Sequence, residues 1–133
     1  MSYVPNELLS RLVEYRMFSV QFVMDYVQLR FDSTTDDAPF MNCDVWPEVT
    51  LDGVTFVEPD LGYADALRKL IPGTVIETRE ATGIGLVVLF ERGSIRLHPT
   101  LDEVYVEIAM LSGFADRAWM VWRPGEESFE DLA

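Results

Sequence analysis

The alternation of apolar and polar residues in two neighbouring runs constrains the fold of this chain more than any other feature. Within residues 18–22 and 27–31 every second residue is apolar. Since successive side chains of a strand point to opposite faces, each run predicts a strand, and Val23 placed opposite Tyr26 joins them in a hairpin. The apolar pairs are then Phe22/Val27, Val20/Leu29 and Phe18/Phe31, and the polar pairs are Gln21/Gln28 and Ser19/Arg30. A shift of one residue would mix these sets, so the pattern also predicts the register.

Turn signals divide much of the remaining chain into further short strands. Residues 41–45 alternate as a third strand. The pair Asp52-Gly53 lies between two strand-like runs and predicts a type I′ hairpin, because both central residues of that turn need a positive φ. The runs on either side are residues 49–51 and 54–56, and later strands are predicted at 74–80, 85–91, 94–98 and 118–123.

In two later segments the sequence must be interpreted further: one needs a strand register, and the other can be read as a helix or as a strand. A turn at Arg92-Gly93 would set the register of the strands beside it. Its predicted core-side pairs are Phe90/Ile95 and Val88/Leu97. In residues 100–111 the capping-box pair Thr100 and Glu103 indicates a helix, whereas the β-branched residues that follow favour a strand. We expect one helical turn followed by a strand that ends at Leu111.

Helical spacing occurs in two segments. Residues 6–15 predict a short helix with Asn6 as its N-cap. Residues 60–71 predict a second helix, which Pro72-Gly73 ends. The apolar face of this helix is expected to contain Tyr63, Ala64, Leu67, Leu70 and Ile71. The acidic residues 124–133 are expected to form a loose tail.

Together these elements predict an α+β fold with a mainly antiparallel sheet of about seven or eight strands and two helices. A chain of 133 residues can bury a hydrophobic core without a disulfide or a structural metal ion. No linker, repeat or low-complexity tract divides it. We therefore expect a single domain over residues 1–133.

The charge of the chain limits its partners. With 23 acidic and 10 basic residues, the net charge is −13, and a field of this sign repels nucleic acids and anionic membranes. We expect a basic protein or a homo-oligomeric partner, and neither nucleic acid nor membrane. An acidic surface that serves only solubility is the alternative explanation.

The chain has few residues suited to catalysis. Its single Cys, Cys43, falls in an apolar set, and its single His, His98, precedes a proline at a strand end with no Ser or Cys nearby in sequence. We therefore predict no catalytic residue, no metal ligand and no cofactor. The alternative is a hydrolase or metal-binding site built from aspartates around the first hairpin, although their spacing matches no EF-hand. These aspartates are Asp25, Asp32, Asp36, Asp37 and Asp44.

The three tryptophans are candidates for an interaction surface, because Trp is enriched at interface hot spots. Trp119 and Trp122 are three positions apart in one predicted strand, so they point to opposite faces of the sheet. At most one of them enters the main core unless both faces are covered. Our candidate binding residues are Trp46, Trp119, Trp122, Asp36 and Asp37; core packing of all three tryptophans is the alternative.

The first hairpin also carries a resemblance. The run from Phe22 to Asp32, together with Trp46-Pro47 and the run 119–122, is similar to a family of small uncharacterised bacterial proteins. Members of that family tend to have Gly at the position of Ser33, so the turn after the second strand differs here. The resemblance implies a compact single domain and transfers no active site.

These observations favour a noncatalytic protein-binding domain. A sharper version is a neutralising partner of a basic protein, of the kind that bacterial immunity proteins represent. The lone cysteine excludes an internal disulfide, and the longest apolar run, residues 84–90, is too short to span a membrane. We therefore expect a cytoplasmic protein.

Overall fold

The computed structural model describes residues 3–132, which form ten strands, one α-helix and three short 3-10 helices. The elements are β1 (Arg16–Val23), β2 (Tyr26–Asp32), β3 (Phe40–Cys43), β4 (Glu48–Leu51), β5 (Val54–Phe56), α1 (Tyr63–Lys69), β6 (Val75–Ala81), β7 (Gly85–Phe90), β8 (Gly93–Leu97), β9 (Ala109–Ser112) and β10 (Met120–Trp122). The predicted α+β class with antiparallel strands is confirmed. The predicted counts are wrong, because the strands divide between two sheets and the first helix does not form.

The two sheets each have five strands, in the orders β1-β2-β3-β9-β10 and β5-β4-β8-β7-β6. They are joined where β1 meets the segment before β6. The Met17 amide donates to the Gly73 carbonyl over 2.9 Å, and the Val75 amide donates to the Tyr15 carbonyl over 2.8 Å. The inward side chains of both sheets form one buried cluster, to which α1 contributes Leu67.

The predicted register of the first hairpin is confirmed from Ser19 to Val23, but the predicted pair Phe18/Phe31 is wrong. A β-bulge lies between Met17 and Ser19, so that Met17 pairs with Phe31 and is buried, whereas Phe18 is 43% exposed. One extra residue in a strand reverses the faces of the residues beyond it. The bulge thus places Met17 in the core where β1 joins the second sheet.

The predicted core-side pairs around Arg92-Gly93 are shifted by two residues. The observed pairs are Val88/Ile95 and Leu86/Leu97. Gly93 itself pairs with Leu51 of β4, where a Cβ atom would lie 1.9 Å from the Thr50 carbonyl oxygen. Only glycine permits this approach of β4. The last pair of the hairpin is Leu89/Ser94, so its turn is longer than predicted. A shift of two residues leaves each side chain on its predicted face.

The type I′ turn at Asp52-Gly53 is confirmed, since both residues have positive φ, 49° and 84°. The predicted helical turn is also confirmed, but the strand that follows is shorter than predicted, because residues 104–106, whose types favoured a strand, lie outside it. The Thr100/Glu103 capping box starts a 3-10 helix at Leu101–Glu103, and β9 ends one residue beyond the predicted position. These two predictions depend on local residue pairs.

The predicted helix over residues 6–15 is wrong. Only Leu9–Leu12 is helical, as a 3-10 helix, and Asn6 has a φ of 68° and does not cap it. Its side chain hydrogen-bonds to Thr78 of β6 instead. Asn6 thus holds the N-terminal segment against the second sheet, and this contact competes with helix formation.

The second helix is shorter than its predicted span of 60–71, and Ala66 replaces Ala64 on its buried face. The prediction of a loose tail is also wrong for the described part of residues 124–133. A 3-10 helix forms at Glu127–Phe129, and Phe129 is buried against the core. The last residue of that predicted tail, 133, lies outside the described residues.

Candidate functional site

Two aromatic side chains form the floor of an open cleft between the first hairpin and the segment before α1. The rings of Phe22 and Trp46 stack with centroids 6.5 Å apart and planes inclined by 26°. Phe22 is 47% exposed although its strand partner Val27 is buried. Phe22 lies near the hairpin turn, beyond the core, and its exposed face is open to a ligand.

The segment that precedes α1 forms the wall of this cleft. Residues Val57 and Asp60 hold it in a tight turn, because the Val57 amide donates to Asp60 Oδ2 over 2.8 Å and the Asp60 amide donates to the Val57 carbonyl over 2.9 Å. Tyr63 then donates its hydroxyl to the carbonyl of Pro47, next to Trp46. Burial raises the pKa of the Tyr63 hydroxyl, which stays protonated as this donor. Wall and floor are therefore fixed to each other.

We call this space, about 490 Å³ in volume, the aromatic cleft. Three carboxylates line it, on Glu58, Asp60 and Asp65, and no basic residue does. Leu61 at its rim is fully exposed. Carboxylates beside an aromatic face provide ion pairing and cation–π attraction together, which suits an Arg or Lys side chain.

Trp46 also lines a second hollow of about 330 Å³, which shares Glu58 and Pro59 with the aromatic cleft. This hollow is also lined by His98, Glu48 and Glu103, together with Arg96. Arg96 donates to the Ile84 carbonyl. Trp46 is half-buried and packs against the core, so one of the predicted binding residues does line a cleft and also supports the fold.

The other two tryptophans lie elsewhere. Trp122 is fully buried, and its Nε1 donates to Glu80 over 2.9 Å, so its prediction as a binding residue is wrong. Trp119 is 64% exposed and lines a separate groove with Val4 and Met120 and with charged residues that include Glu7 and Arg117. The prediction that only one of the pair enters the core is confirmed, but Trp119 and Trp46 do not share a pocket.

The two aspartates predicted as binding residues differ in their surroundings. Asp37 accepts hydrogen bonds from the Tyr15 hydroxyl over 2.7 Å and from the Ala115 amide over 2.6 Å. The Tyr15 bond, followed by the Ala115 bond, lowers the pKa of Asp37. Asp37 therefore links two loops, whereas Asp36 is exposed. Neither residue lines the aromatic cleft.

The remaining hairpin aspartates do not converge on one point. Asp32 pairs with Arg16 over 2.8 Å. The pKa of Asp44 is raised, first by desolvation and then by the negative charges of Glu107 and Asp25. Within residues 3–132 no group of three or more His, Cys, Asp or Glu side chains is arranged to hold a metal ion. Cys43 is buried, and its burial raises the pKa of its thiol, which disfavours the nucleophilic thiolate.

No sequence pattern singles out Glu80, whose carboxylate accepts more hydrogen bonds than any other among the described residues. It is 8% exposed and accepts four hydrogen bonds. The donors are the Tyr3 hydroxyl, the Asn6 amide, the Trp122 indole and the Ser128 hydroxyl. This Glu80 cluster connects both ends of the described chain to β6. A bulge between Val75 and Glu77 turns Glu80 inward, and strict alternation from Val75 would have placed it outside.

Comparison of the chain with protein-family models, curated proteins and solved structures gives no match. The resemblance at the first hairpin therefore stays a prediction. No helix among residues 3–132 is long and apolar enough to cross a membrane.

Proposed function

We propose that this protein is a noncatalytic binding domain whose aromatic cleft takes a basic segment of a partner protein. The observation that carries the proposal is the stacked Phe22/Trp46 pair beside three carboxylates, with no basic residue in the lining. Neutralisation of a basic partner, as immunity proteins perform, is the specific form of this function that we favour.

The contact energies favour a segment with several basic residues over a single basic side chain. An exposed ion pair contributes only about 0–1 kcal/mol, and an exposed cation–π contact about 0.5–1 kcal/mol. The open cleft therefore binds a single side chain weakly. A segment with several Lys or Arg residues adds the attraction of the −13 net charge, which acts mainly on the association rate.

The experiment is a titration of the protein with a lysine-rich peptide. Calorimetry or the fluorescence anisotropy of the peptide measures the binding over a series of salt concentrations. We expect affinity to fall as salt rises, since exposed charges are screened. The double variant Glu58→Gln/Asp65→Asn should weaken binding by about tenfold, which corresponds to about 1.4 kcal/mol. A glutamate-rich peptide of equal length should not bind.

The matched control is Asp102→Asn/Glu126→Gln, which removes two exposed charges outside the cleft lining. It separates a local site from a general effect of net charge. Trp119→Ala is the aromatic control, because Trp119 is exposed in another groove. Equal losses in both double variants would contradict the cleft as the site and leave only nonspecific attraction.

The hydrolase or metal-binding alternative needs carboxylates that converge on one position. Asp32 and Asp37 are instead held by separate partners, Arg16 and Tyr15. Asp44 has other carboxylates as its charged neighbours. No observation therefore favours this second function over binding.

A further inference from the structure

The side chains on the outer face of the first sheet form regular rows that are not part of the aromatic cleft. Three rows of side chains cross its strands on the side away from the core. The arginine row is Ser19, Arg30, Phe40 and Ser112; the amide row is Gln21, Gln28, Asn42, Met110 and Val121; the tyrosine row is Val23, Tyr26 and, by continued alternation, Asp44. Gln21 and Val23 are exposed and the other members are half-buried, so none of these side chains belongs to the buried core.

Arg30 in the first row has no anionic partner among the described residues. Its guanidinium lies 5.6 Å from the centre of the Phe40 ring, and its Nε is buried without a hydrogen-bond partner. It takes part in none of the ion pairs found within residues 3–132. A buried donor without a partner costs about 1–3 kcal/mol. The other two guanidinium nitrogens are not among the buried donors without a partner, and a carboxylate from another molecule would pair with them.

Asp44 in the third row would be stabilised by a positive charge, whereas Arg30 would be stabilised by a negative one. Like charges on Glu107 and Asp25, together with desolvation, raise the pKa of Asp44, so a nearby cation would stabilise its charged form. Arg30 and Asp44 lie two residues on either side of the amide row, each about 7 Å from it along its strand. They are on neighbouring strands, because Arg30 pairs with Phe40 of β3.

We infer that the outer face of the first sheet binds the same face of a second copy of this chain across a two-fold axis that runs along the amide row. Such an axis exchanges the two outer rows. It brings Arg30 of each copy near Asp44 of the other, offset by about one strand spacing of 4.8 Å, which an Arg side chain spans. The amide row meets itself, and its Gln and Asn side chains both donate and accept.

The charge distribution favours a second copy over the basic partner on this face. The arginine and amide rows contain no carboxylate, and their one charged residue is Arg30. A basic segment would therefore find counter-ions only at the tyrosine row, where Asp44 lies near Glu107 and Asp25, and would meet the like charge of Arg30 in the arginine row. A second copy offers Asp44 and also pairs the apolar end of the amide row, Met110 and Val121, with itself.

The size of the face sets the expected strength. Five strands span about 24 Å across the sheet, and the shorter strands limit its length, so each copy offers roughly 400 Å² in projection. This is small beside the roughly 800 Å² per partner of a standard interface. The net charge of −13 on each copy adds repulsion. We expect a dimer that dissociates at micromolar concentrations and strengthens as salt rises.

Sedimentation velocity of the full chain, over a wide range of micromolar concentrations at low and high salt, tests this inference. Arg30→Glu and Asp44→Arg should each raise the dimer dissociation constant by about tenfold or more, since each places like charges together twice in a symmetric dimer. The double variant Arg30→Glu/Asp44→Arg should restore association to within about threefold of the wild type. Arg68→Glu makes the same charge change on the exposed surface of α1 and should not weaken the dimer.

Circular dichroism and thermal melts of each variant establish that it is folded before association is compared. The double variant protects the test against a folding defect, because recovery of the dimer requires a folded face. A wild-type chain that stays monomeric at every salt concentration would overturn the inference. So would a dimer that neither reversal weakens, or one that the double exchange fails to restore.

Discussion

The buried carboxylate of Glu80 gives the sharpest prediction for stability, through the substitution Glu80→Gln. In the wild type Oε2 accepts from Tyr3, Trp122 and Ser128, and Oε1 accepts from the Asn6 amide over 2.7 Å. An amide has one acceptor oxygen. If that oxygen takes the place of Oε2, its NH₂ group faces the Asn6 N–H, and two donors confront each other.

Hydrogen-bond and desolvation energies decide whether Glu80→Gln stabilises or destabilises the fold. A hydrogen bond to a charged group contributes about 1.5–3 kcal/mol against about 0.5–1.5 for a neutral one, so the three retained bonds weaken and the fourth is lost. Relief of the desolvation cost of a buried charge offsets part of this loss, because an unpaired charge is expensive to bury. With four donors in place, we expect a net destabilisation of about 2–4 kcal/mol and a fall in Tm of roughly 10 °C.

Chemical denaturation and calorimetry measure this change, and two variants calibrate it. Glu77→Gln lies on the same strand, exposed and paired only with Arg79, and should change stability by less than about 0.5 kcal/mol. Ser128→Ala removes one donor and should cost about 1–2 kcal/mol. If Glu80→Gln were as neutral as Glu77→Gln, the four hydrogen bonds would not outweigh the burial of the charge, and the reasoning would fail.

Three further predictions concern other parts of the fold. Leu29→Lys puts an unpaired charge into the core and should destabilise by more than about 4 kcal/mol in thermal denaturation, whereas Gln21→Lys on the outer face should be nearly neutral; equal effects would contradict the register. The lowered pKa of Asp37 means that its stabilisation is present above the ordinary carboxyl pKa and is lost as pH falls through the folded value. Asp37→Asn should therefore destabilise at neutral pH, and its difference from the wild type should shrink below about pH 4 in melts over a pH series. Cys43, buried with a raised thiol pKa, should react with a disulfide reagent only after denaturation, and rapid native labelling would refute this.

The parts of the fold that could be predicted depend on residues that are close together in the sequence. The hairpin register depends on the alternation of neighbouring residues, and the Asp52-Gly53 turn depends on two residues that tolerate positive φ. The bulge at Phe18 had no such signal, because Met17 and Phe18 are both apolar. Met17 faces inward where the backbone of β1 also pairs with Gly73 in the segment before β6, a contact between residues far apart in sequence.

The division into two sheets depends on equally distant contacts. The pairing of β3 with β9 and of β4 with β8 joins segments separated by large parts of the chain. The sequence of a short apolar strand does not indicate which distant strand it pairs with. The number of sheets therefore could not be predicted from the sequence pattern. The same limit applies to the site. Trp46 could be singled out by residue type, but its stacking on Phe22 in the floor of the cleft could not.

A single property of the chain, its net charge of −13, makes the two proposed interactions distinguishable. Attraction of a basic segment to the aromatic cleft weakens as salt screens it, whereas a dimer of like-charged copies strengthens because the same screening reduces their repulsion. The local Arg30–Asp44 contacts lose some strength with salt. They act over a few ångströms at a partly desolvated face, where screening is weaker than between whole molecules. Opposite salt dependences in peptide binding and in sedimentation would therefore distinguish the two events, and the variants at each surface would locate them.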